Sequence, residues 1–347
     1  MKTKIAKINS DIIEKSAIRE FAKMITDGKL VAFPTETVYG LGANALDDSA
    51  VKSIFAVKNR PANNPLIAHV TSLEMANTIA KNIPFELDIL FNAFWPGAFT
   101  VVLEKRECVP DSVTAGGKTV AVRCPSHPIA HALIQSANVP IVAPSANLSG
   151  KPSPTCFEHV YEDLNGKISG IINGGTCDIG IESTVVIPTG KNKLRLLRPG
   201  AITPEMLQDK GFEIEIDKHI LTPVTDNSVV SSPGMLYRHY APKAKMMLIR
   251  GNDKDVIEYI NKQIANNSNC GVLCFDNESG CFANATVIEY GTPNNPLSLS
   301  HNLFSALRKF DLTDVEIIYA RVIEPCGVGL GLYNRMLRAA SFNVIAI

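Results

Sequence analysis

Residues 28–65 read GKLVAFPTETVYGLGANALDDSAVKSIFAVKNRPANNP and place a strand, a polar turn and a helix in succession. Residues 29–33 form a short apolar run with the composition of a β-strand, and Pro34 stops it. Residues 35–42 are crowded with hydroxyls and glycines, and Asp47 can cap the helix that follows. Open α/β sheets bind ligands where a strand ends in such a turn, so this segment predicts a binding site.

The helix of this segment ends in two cations. Lys58 and Arg60 stand just before Pro61, and two cations beside a polar turn indicate an anionic ligand, most simply a polyphosphate. A solvated helix end has the same composition, and taken alone the pair favours that interpretation. The cations therefore need support from the rest of the chain.

Length and composition set the class of protein. The chain has 347 residues, which predicts two domains, and 46% of them are hydrophobic, which is ample for sizeable cores. Thirty-four basic and 34 acidic side chains cancel to a formal net charge of +0. A neutral total argues against broad, sequence-independent binding of nucleic acid or membrane, but it leaves room for a local basic cleft.

The cysteines and the first residues indicate where the protein works. The eight cysteines form no CxxC pair and show no His/Cys metal spacing, so we expect reduced thiols in a cytoplasmic protein. Residues 1–25 are charged throughout and lack the apolar core of a signal peptide. No later segment approaches the ~18 uncharged apolar residues of a membrane span, and we expect no membrane partner.

The order of predicted elements gives the fold class. Strands and helices interleave along the first part of the chain and end in a hairpin, which predicts a mixed, open, twisted α/β sheet with helices over residues 1–212. Residues 213–245 lose this periodicity but keep aromatic side chains, so we expect an ordered linker. Residues 246–347 alternate strands and helices again and predict a smaller, Rossmann-like α/β domain.

Two glycine-rich runs are imperfect phosphate-binding motifs. GGKT at residues 116–119 imitates the end of a P-loop, but Ser112 stands where the leading glycine belongs and a strand-like run follows. This mismatch excludes a P-loop NTPase. The run CGVGLGLY at residues 326–333 leads into a predicted helix at 334–340, and tight packing explains its glycines as well as phosphate binding does.

Further cations and hydroxyls fall at the ends of predicted elements. The runs APSANLSGKPS and GIEST can each form a polar turn, and Arg123 and Arg198 each end a strand-like run. A surface ion pair is the alternative for each arginine. No serine–histidine–acid triad, HExxH motif or aspartate pair is readable in the sequence. The pattern as a whole favours positioning and charge neutralisation around phosphates over covalent catalysis.

These motifs resemble a known family. FPTETVYGLGANA, KNRPANNPLIAHV, WPGAFTVVL, VAVRCPSHP, APSANLSGKPSPT, GIESTVV and LLRPGAI are similar to the motifs of the YrdC-like domain. The linker SPGMLYRHYAPKA and the α/β domain after it resemble the two-domain form of the threonylcarbamoyl-AMP synthases. The resemblance covers essentially the whole chain.

The resemblance implies a nucleotidyltransferase that joins L-threonine, bicarbonate and ATP into L-threonylcarbamoyl-AMP and releases pyrophosphate, with Mg²⁺ accompanying ATP. A separate threonylcarbamoyl transferase complex would then modify the adenosine next to the anticodon in tRNA, which this chain would contact only indirectly or weakly.

The resemblance also implies roles for individual residues. The residues expected around L-threonine are Thr35, His69, Arg123 and Ser183. The residues expected around ATP are Lys58, Arg60, Asn64, Thr119, Ser145, Asn147, Ser153 and Arg198, with Tyr237 of the linker closing over the site. Lys58 and Arg60 are the expected catalytic residues, because they would neutralise charge on the phosphates. We expect no metal-ligating residue.

Two other functions remain as alternatives. An RNA-binding module would use a basic cleft, although the net charge of zero counts against this as the main activity. A carbamoyl transferase that makes a carbamoyl-adenylate would share one domain, but such proteins carry zinc-binding CxxC pairs and an acylphosphatase-like segment, and this sequence shows neither.

Overall fold

The structure, a computed structural model, describes residues 2–223, 240–267 and 269–347. Tyr237 lies outside the described residues, so its predicted role over the ATP site stays a prediction. Within the described residues, no helix combines the length and the apolar composition needed to cross a membrane.

The first sheet is mixed and open, as predicted. Among the described residues it has twelve strands in the order β1-β9-β2-β3-β8-β4-β7-β6-β10-β11-β12, with β5 paired to β6. The strands are β1 (Lys4–Lys7), β2 (Val31–Phe33), β3 (Gly40–Asn44), β4 (Ile67–His69), β5 (Ala80–Lys81), β6 (Phe99–Lys105), β7 (Thr119–Arg123), β8 (Ile141–Val142), β9 (Gly170–Asn173), β10 (Thr184–Gly190), β11 (Lys193–Arg198) and β12 (Glu213–Ile216).

Helices cover both faces of this sheet. They are α1 (Lys15–Thr26), α2 (Asp48–Lys58), α3 (Leu73–Ile79), α4 (Asp88–Phe94), α5 (Asp111–Thr114), α6 (Pro128–Ala137), α7 (Phe157–Leu164) and α8 (Pro204–Gln208). Side chains alternate along β2: Val31 and Phe33 pack with α1 and α6, whereas Ala32 packs into the opposite core with α2. All three are fully buried, which explains why the run is apolar without interruption.

The predicted glycine-rich turn after β2 is shorter than the sequence suggested. Its second half is β3, which runs antiparallel to β2 with Phe33 opposite Gly40. A Cβ atom on Gly42 would lie 2.8 Å from the Phe33 ring. The glycines therefore let a strand pass close to an aromatic side chain, a use that turn propensity does not reveal. The turn itself is confined to residues 34–39.

The first sheet also continues past the predicted domain end at residue 212. In β12 glutamate and isoleucine alternate, Ile214 is partly buried and the other three residues are exposed, and the strand pairs in parallel with β11. Lys193 and Arg195 of β11 form ion pairs with Glu213 and Glu215 at 2.8 and 3.0 Å. The segment that we assigned to the linker from residue 213 therefore begins with a strand of the first sheet.

The second sheet is parallel and smaller, in agreement with the predicted Rossmann-like architecture. Among the described residues it has five strands in the order β15-β14-β16-β13-β17. They are β13 (Lys245–Arg250), β14 (Cys270–Cys274), β15 (Thr286–Glu289), β16 (Ile317–Arg321) and β17 (Val344–Ala346). The helices around it are α9 (Asp253–Asn266), α10 (Pro296–Phe310) and α11 (Val328–Ala339).

Close packing explains the key glycine of the run at residues 326–333. Helix α11 begins at Val328, six residues before the predicted start at 334, and contains Gly331. A Cβ atom on Gly331 would lie 3.1 Å from Gly200 Cα and 3.1 Å from Ile181 of the first domain. The glycine lets α11 approach the turns that precede β10 and follow β11.

Candidate active site

One cleft is lined by six of the predicted site residues. Its lining follows the chain from Pro65, two residues before β4, to His69 at the end of β4, a run of five residues that spans about 13 Å at ~3.3 Å per residue. It encloses about 610 Å³, including space open to solvent at its mouth. The lining residues are Thr35, Thr37, Val38, Tyr39, Gly40, Arg60, Pro65, Leu66, Ile67, His69, Arg123, Ala143, Pro144, Ser145, Glu182, Arg198 and Tyr240.

One end of the cleft lies where β4 and β7 finish side by side, with His69 opposite Arg123. The Arg123 guanidinium lies 2.7 Å from the Glu36 carboxylate, and both side chains are buried. Burial raises the pKa of Glu36, and the nearby charge and hydrogen bond of Arg123 lower it. The net effect is a pKa below the ordinary value of a glutamate. Arg123 is therefore held by a buried ion pair, and the surface pair considered from the sequence is wrong.

Thr35 shapes the turn at this end. Its hydroxyl donates to the Val38 carbonyl at 2.7 Å and accepts from the Val38 amide at 3.2 Å. It also lies 2.8 Å from the Thr37 hydroxyl. These contacts are local and hold residues 35–38 as a closed turn.

His69 supplies a neutral, unsatisfied polar atom. Its side chain is only 3% exposed, and Nδ1 has no hydrogen-bond partner among the described residues. Burial and then the charge of Arg123 lower the pKa of His69 to about 3. The imidazole is therefore uncharged at neutral pH and can bond a polar group of a ligand.

At the other end, Arg60 and Asn64 carry unmet hydrogen-bonding capacity. Arg60 Nη2 donates to the carbonyls of Asn64 and Pro65 at 3.3 and 3.2 Å, and its Nε has no partner in the described structure. The Asn64 side chain is 1% exposed, and neither of its amide atoms is bonded within the described residues. Burial lowers the pKa of Arg60 to about 10, so it stays cationic.

Lys58 supports the wall of the cleft from behind. Its buried ammonium donates to the carbonyls of Ser145 and Asn147. Ser145 lines the cleft and donates to Asn147 Oδ1 at 2.6 Å, and the Asn147 amide donates to the carbonyls of Leu148 and Lys151. Burial, and then Arg60, lower the pKa of Lys58. The lysine thus orders the turn after β8, and its direct contact with phosphate stays a prediction.

Arg198 links the two ends of the cleft. Its Nε donates to the Ser183 carbonyl at 3.0 Å and its Nη2 to the Ser183 hydroxyl at 3.1 Å, while that hydroxyl lies 2.7 Å from Thr100 Oγ1. Burial lowers the pKa of Arg198 to about 10, with Arg123 among the neighbouring charges, and Arg198 in turn acts on Arg60. The predicted arginines therefore share one electrostatic environment.

The structure sorts the predicted residues into three groups. Those that line the cleft are Thr35, Arg60, His69, Arg123, Ser145 and Arg198. Those that contact a lining residue from behind are Lys58, Asn64, Asn147, Ser153 and Ser183. Thr119 begins β7, about 13 Å along the strand from Arg123, and does not line the cleft.

Sequence reasoning missed the partners of these residues. Glu36 lies in the motif FPTETVYGLGANA and Glu182 in the motif GIESTVV, but the sequence does not show which cations these carboxylates contact. Tyr240 lines the cleft and stacks on Phe304, with ring centroids 5.2 Å apart. Arg335 of the second domain is fully buried and bonds to Glu182. The available signal was the two arginines within the mostly apolar run LGLYNRMLRAA.

The described residues do not form a cation site of their own. No group of three histidine, cysteine, aspartate or glutamate side chains in the described parts of the chain is arranged to hold a metal ion. Among the described cleft residues only Glu182 carries a carboxylate, and both its oxygens accept hydrogen bonds, from Ser153 and Arg335 at 2.6 Å. The residues therefore do not fit a resident Mg²⁺.

Comparisons with known proteins agree with this architecture. The Sua5/YciO/YrdC family model, described as "Telomere recombination", matches residues 23–200, and the model described as "Threonylcarbamoyl-AMP synthase, C-terminal domain" matches residues 202–341. The chain is 46% identical to a threonylcarbamoyl-AMP synthase of Pyrococcus abyssi, over 96% of this chain and 97% of the relative. It is 41% identical to one of Bacillus subtilis, over 94% of each.

A solved structure shows the same two-domain arrangement. The crystal structure of P. abyssi Sua5 complexed with L-threonine matches with a TM-score of 0.92 and 44% identity, covering 99% of this chain and 100% of that one.

Proposed function

The chain belongs to the family of two-domain threonylcarbamoyl-AMP synthases, and we propose that it joins L-threonine, bicarbonate and ATP into L-threonylcarbamoyl-AMP, pyrophosphate and water. The observation that supports this most directly is the cleft along β4, which has arginines at both ends and no lining carboxylate other than Glu182 among the described residues. Its two ends offer cations to two different anionic groups, the carboxylate of an amino acid and the phosphates of a nucleotide.

We assign L-threonine to the end formed by Thr35, His69, Arg123 and Ser183. Arg123 can bind the amino-acid carboxylate while keeping its pair with Glu36, since a guanidinium has five N–H donors. The neutral His69 can bond the threonine hydroxyl. A substrate that lacks this hydroxyl, such as valine, would leave a buried polar group unpaired, whereas serine differs only by a methyl group worth ~10–200-fold.

We assign ATP to Arg60, Arg198, Ser145 and the residues behind them, Lys58, Asn64, Asn147 and Ser153, with Thr119 and Tyr237 as further expected contacts. Attack of the carbamate oxygen on the α-phosphate forms a P–O bond, and the bond to the leaving pyrophosphate breaks. Charge grows on the phosphate oxygens during this step. The buried cations Arg60 and Arg198 can stabilise that charge without a nucleophilic side chain. The chemistry is that of a nucleotidyltransferase.

The remaining partners follow from this reaction. Mg²⁺ would enter as part of the Mg–ATP substrate, held by the phosphates. The unstable product would pass to a threonylcarbamoyl transferase complex, and tRNA would be met there. A cytoplasmic location is supported by eight free cysteines. We divide the work between a catalytic domain at residues 1–212, a linker at 213–245 whose first strand completes the catalytic sheet, and a C-terminal domain at 246–347.

The test is pyrophosphate release by the purified chain with each substrate omitted in turn. We expect release only when L-threonine, bicarbonate and Mg–ATP are all present, and none when carbamoyl phosphate replaces the first two. Arg60→Ala should abolish it, whereas Arg195→Ala, which removes a half-exposed arginine of β11, should not. Release that does not depend on threonine would contradict the proposal.

A further inference from the structure

One arginine of the second domain enters the wall of the cleft. Arg335 of α11 is fully buried, and its Nε donates to Glu182 Oε2 at 2.6 Å. Its Nη2 donates to the Glu182 carbonyl at 3.0 Å and its Nη1 to the Pro199 carbonyl at 2.9 Å. Glu182 and Pro199 are the neighbours of Ser183 and Arg198. A single guanidinium thus holds both turns that present the ATP-site arginine.

Glu182 could compete with the phosphates of ATP for Arg198. It lines the cleft with Arg198, and Arg198 binds both the carbonyl and the hydroxyl of the next residue, Ser183. In the structure the carboxylate is fully engaged, because Ser153 Oγ donates to Oε1 and Arg335 to Oε2. Burial raises the pKa of Glu182, but Arg335 and Arg198 lower it further, so the carboxylate is charged.

The charges in this wall leave one positive charge uncompensated. Arg198 and Arg335 are cationic and Glu182 is anionic, all three in a buried environment where charges interact strongly. If Arg335 were absent, Glu182 and Arg198 would cancel, since a buried charge that loses its partner is costly unless another cation replaces it. This part of the cleft wall would then offer no net charge to a triphosphate, and the ATP site would depend on Arg60.

We propose that Arg335 is a positioning residue for the adenylation reaction: by engaging Glu182, it leaves the charge of Arg198 available to the phosphates of ATP. The inference rests on the proposed function, because it takes Arg198 as a phosphate ligand. It assigns the second domain a role in substrate binding, exercised from α11 across the domain contact.

A neutral residue at 335 separates this role from a purely mechanical one. Arg335→Gln should raise the KM for ATP about 10-fold or more, the size of one lost charge-assisted hydrogen bond. The KM for threonine should change less than about threefold. Adding Glu182→Gln removes the competing carboxylate and should return the KM for ATP to within about threefold of the wild-type value. If the double variant stays as impaired as the single one, the inference is wrong.

Two further variants keep the test decisive. Arg335→Lys keeps the charge but cannot fork between Glu182 and Pro199, so it should melt at a lower temperature and retain a nearly normal KM for ATP. A 10-fold higher KM in this folded variant would overturn the inference even if Arg335→Gln does not fold. The matched control is Arg308→Gln, which removes another buried second-domain arginine, bonded to Pro152 and Asp163. Its defects should not be corrected by Glu182→Gln.

The wild-type enzyme separates the two proposals. If it shows no threonine-dependent release of pyrophosphate, the proposed function fails and the role of Arg335 fails with it. If the wild type is active and the double variant is not rescued, only the role of Arg335 fails.

Discussion

The cleft of the first domain and the C-terminal edge of the second sheet contain similar residues, but these residues are paired in different ways. Each has arginines where strands finish. Arg321 at the end of β16 is buried, pairs with both Glu278 and Asp253, and lies 4.8 Å from the centre of the Phe275 ring. Among the described residues, the hydrogen bonds of Arg198 at the end of β11 go to the carbonyl and hydroxyl of Ser183. Arg321 of the second sheet is thus compensated by two carboxylates, whereas Arg198 forms no direct ion pair among the described residues.

Hydrogen bonding shows the same contrast. Buried side-chain atoms without a partner occur in the cleft region at Arg60, Asn64 and His69, and at no described residue from 240 onwards. A buried polar atom without a partner is costly, so a region that keeps several is prepared for a ligand. Sheet topology alone would predict a ligand site in either domain. Uncompensated charge and unmet hydrogen bonds single out the first.

The largest expected effect compares the two arginines directly. Arg198→Ala should lower kcat/KM for pyrophosphate release ~10²–10³-fold, because it removes charge stabilisation of the reacting phosphates. Arg321→Ala should lower the free energy of unfolding but leave activity per folded molecule within about threefold. Kinetic assays combined with urea unfolding measure both. Equal losses of activity would mean that the second sheet edge takes part in the reaction.

The next effect concerns the contact between the domains. Gly175 and Gly180 both have positive φ in the loop before β10, at +87° and +81°. A Cβ atom on Gly175 would meet nothing within 4 Å, whereas one on Gly180 would lie 2.4 Å from His301 Cα in α10. Gly175→Ala should therefore cost only the strain of the left-handed conformation, about 1 kcal/mol.

Gly180→Ala should cost about 2 kcal/mol more, since backbone must move to relieve the overlap. It should also reduce activity, because the turn carrying Glu182 and Ser183 shifts. Thermal unfolding and pyrophosphate release on both variants measure this difference. Similar values for the two would show that the second domain does not press on this turn.

The sequence was sufficient for much of the fold, for a physical reason. Period-two and helical patterns record burial, and burial is local to each element, so both sheets and most helices could be predicted. β3 could not be predicted, because its glycines allow close packing against the Phe33 ring, and this ring comes close only in the folded sheet. β12 was not predicted as a strand, because the residues that pair with it, Lys193 and Arg195, lie on another strand.

The residues of the site were predictable to a similar extent, but their partners were not. Arg60 after a predicted helix, and Arg123 and Arg198 at the ends of strand-like runs, were predicted as site residues, and all three line the cleft. The sequence could not say which charges they meet. Glu36 partners Arg123, and Glu182 partners Arg335 from 153 residues away. Such pairings are long-range contacts and leave no trace in a local pattern.

A smaller effect is expected at Arg123, whose charge is paired with Glu36, as the charge of Arg321 is paired in the second domain. Arg123→Lys keeps the charge near Glu36 but loses the planar fork that can bind two carboxylates. The KM for threonine should rise about 10-fold, which corresponds to one charge-assisted hydrogen bond. The KM for ATP should stay within about twofold. Equal changes in both constants would contradict the assignment of Arg123 to the amino acid.

The smallest effect tests whether His69 is neutral. The unfolded chain has an ordinary histidine pKa of 6.5 and takes up a proton below that pH, whereas folded His69, with a pKa of about 3, does not. Stability must therefore fall as the pH drops from 6.5 towards 3, by about 1 kcal/mol between pH 7 and 5.5 for this one group. His69→Gln removes the contribution, so its free energy of unfolding should fall less over that interval. Urea unfolding at the two pH values measures the difference. Identical slopes for the variant and the wild type would mean that His69 takes up its proton in the folded protein too, and the cleft would then hold a cation where the structure holds an acceptor or donor of hydrogen bonds.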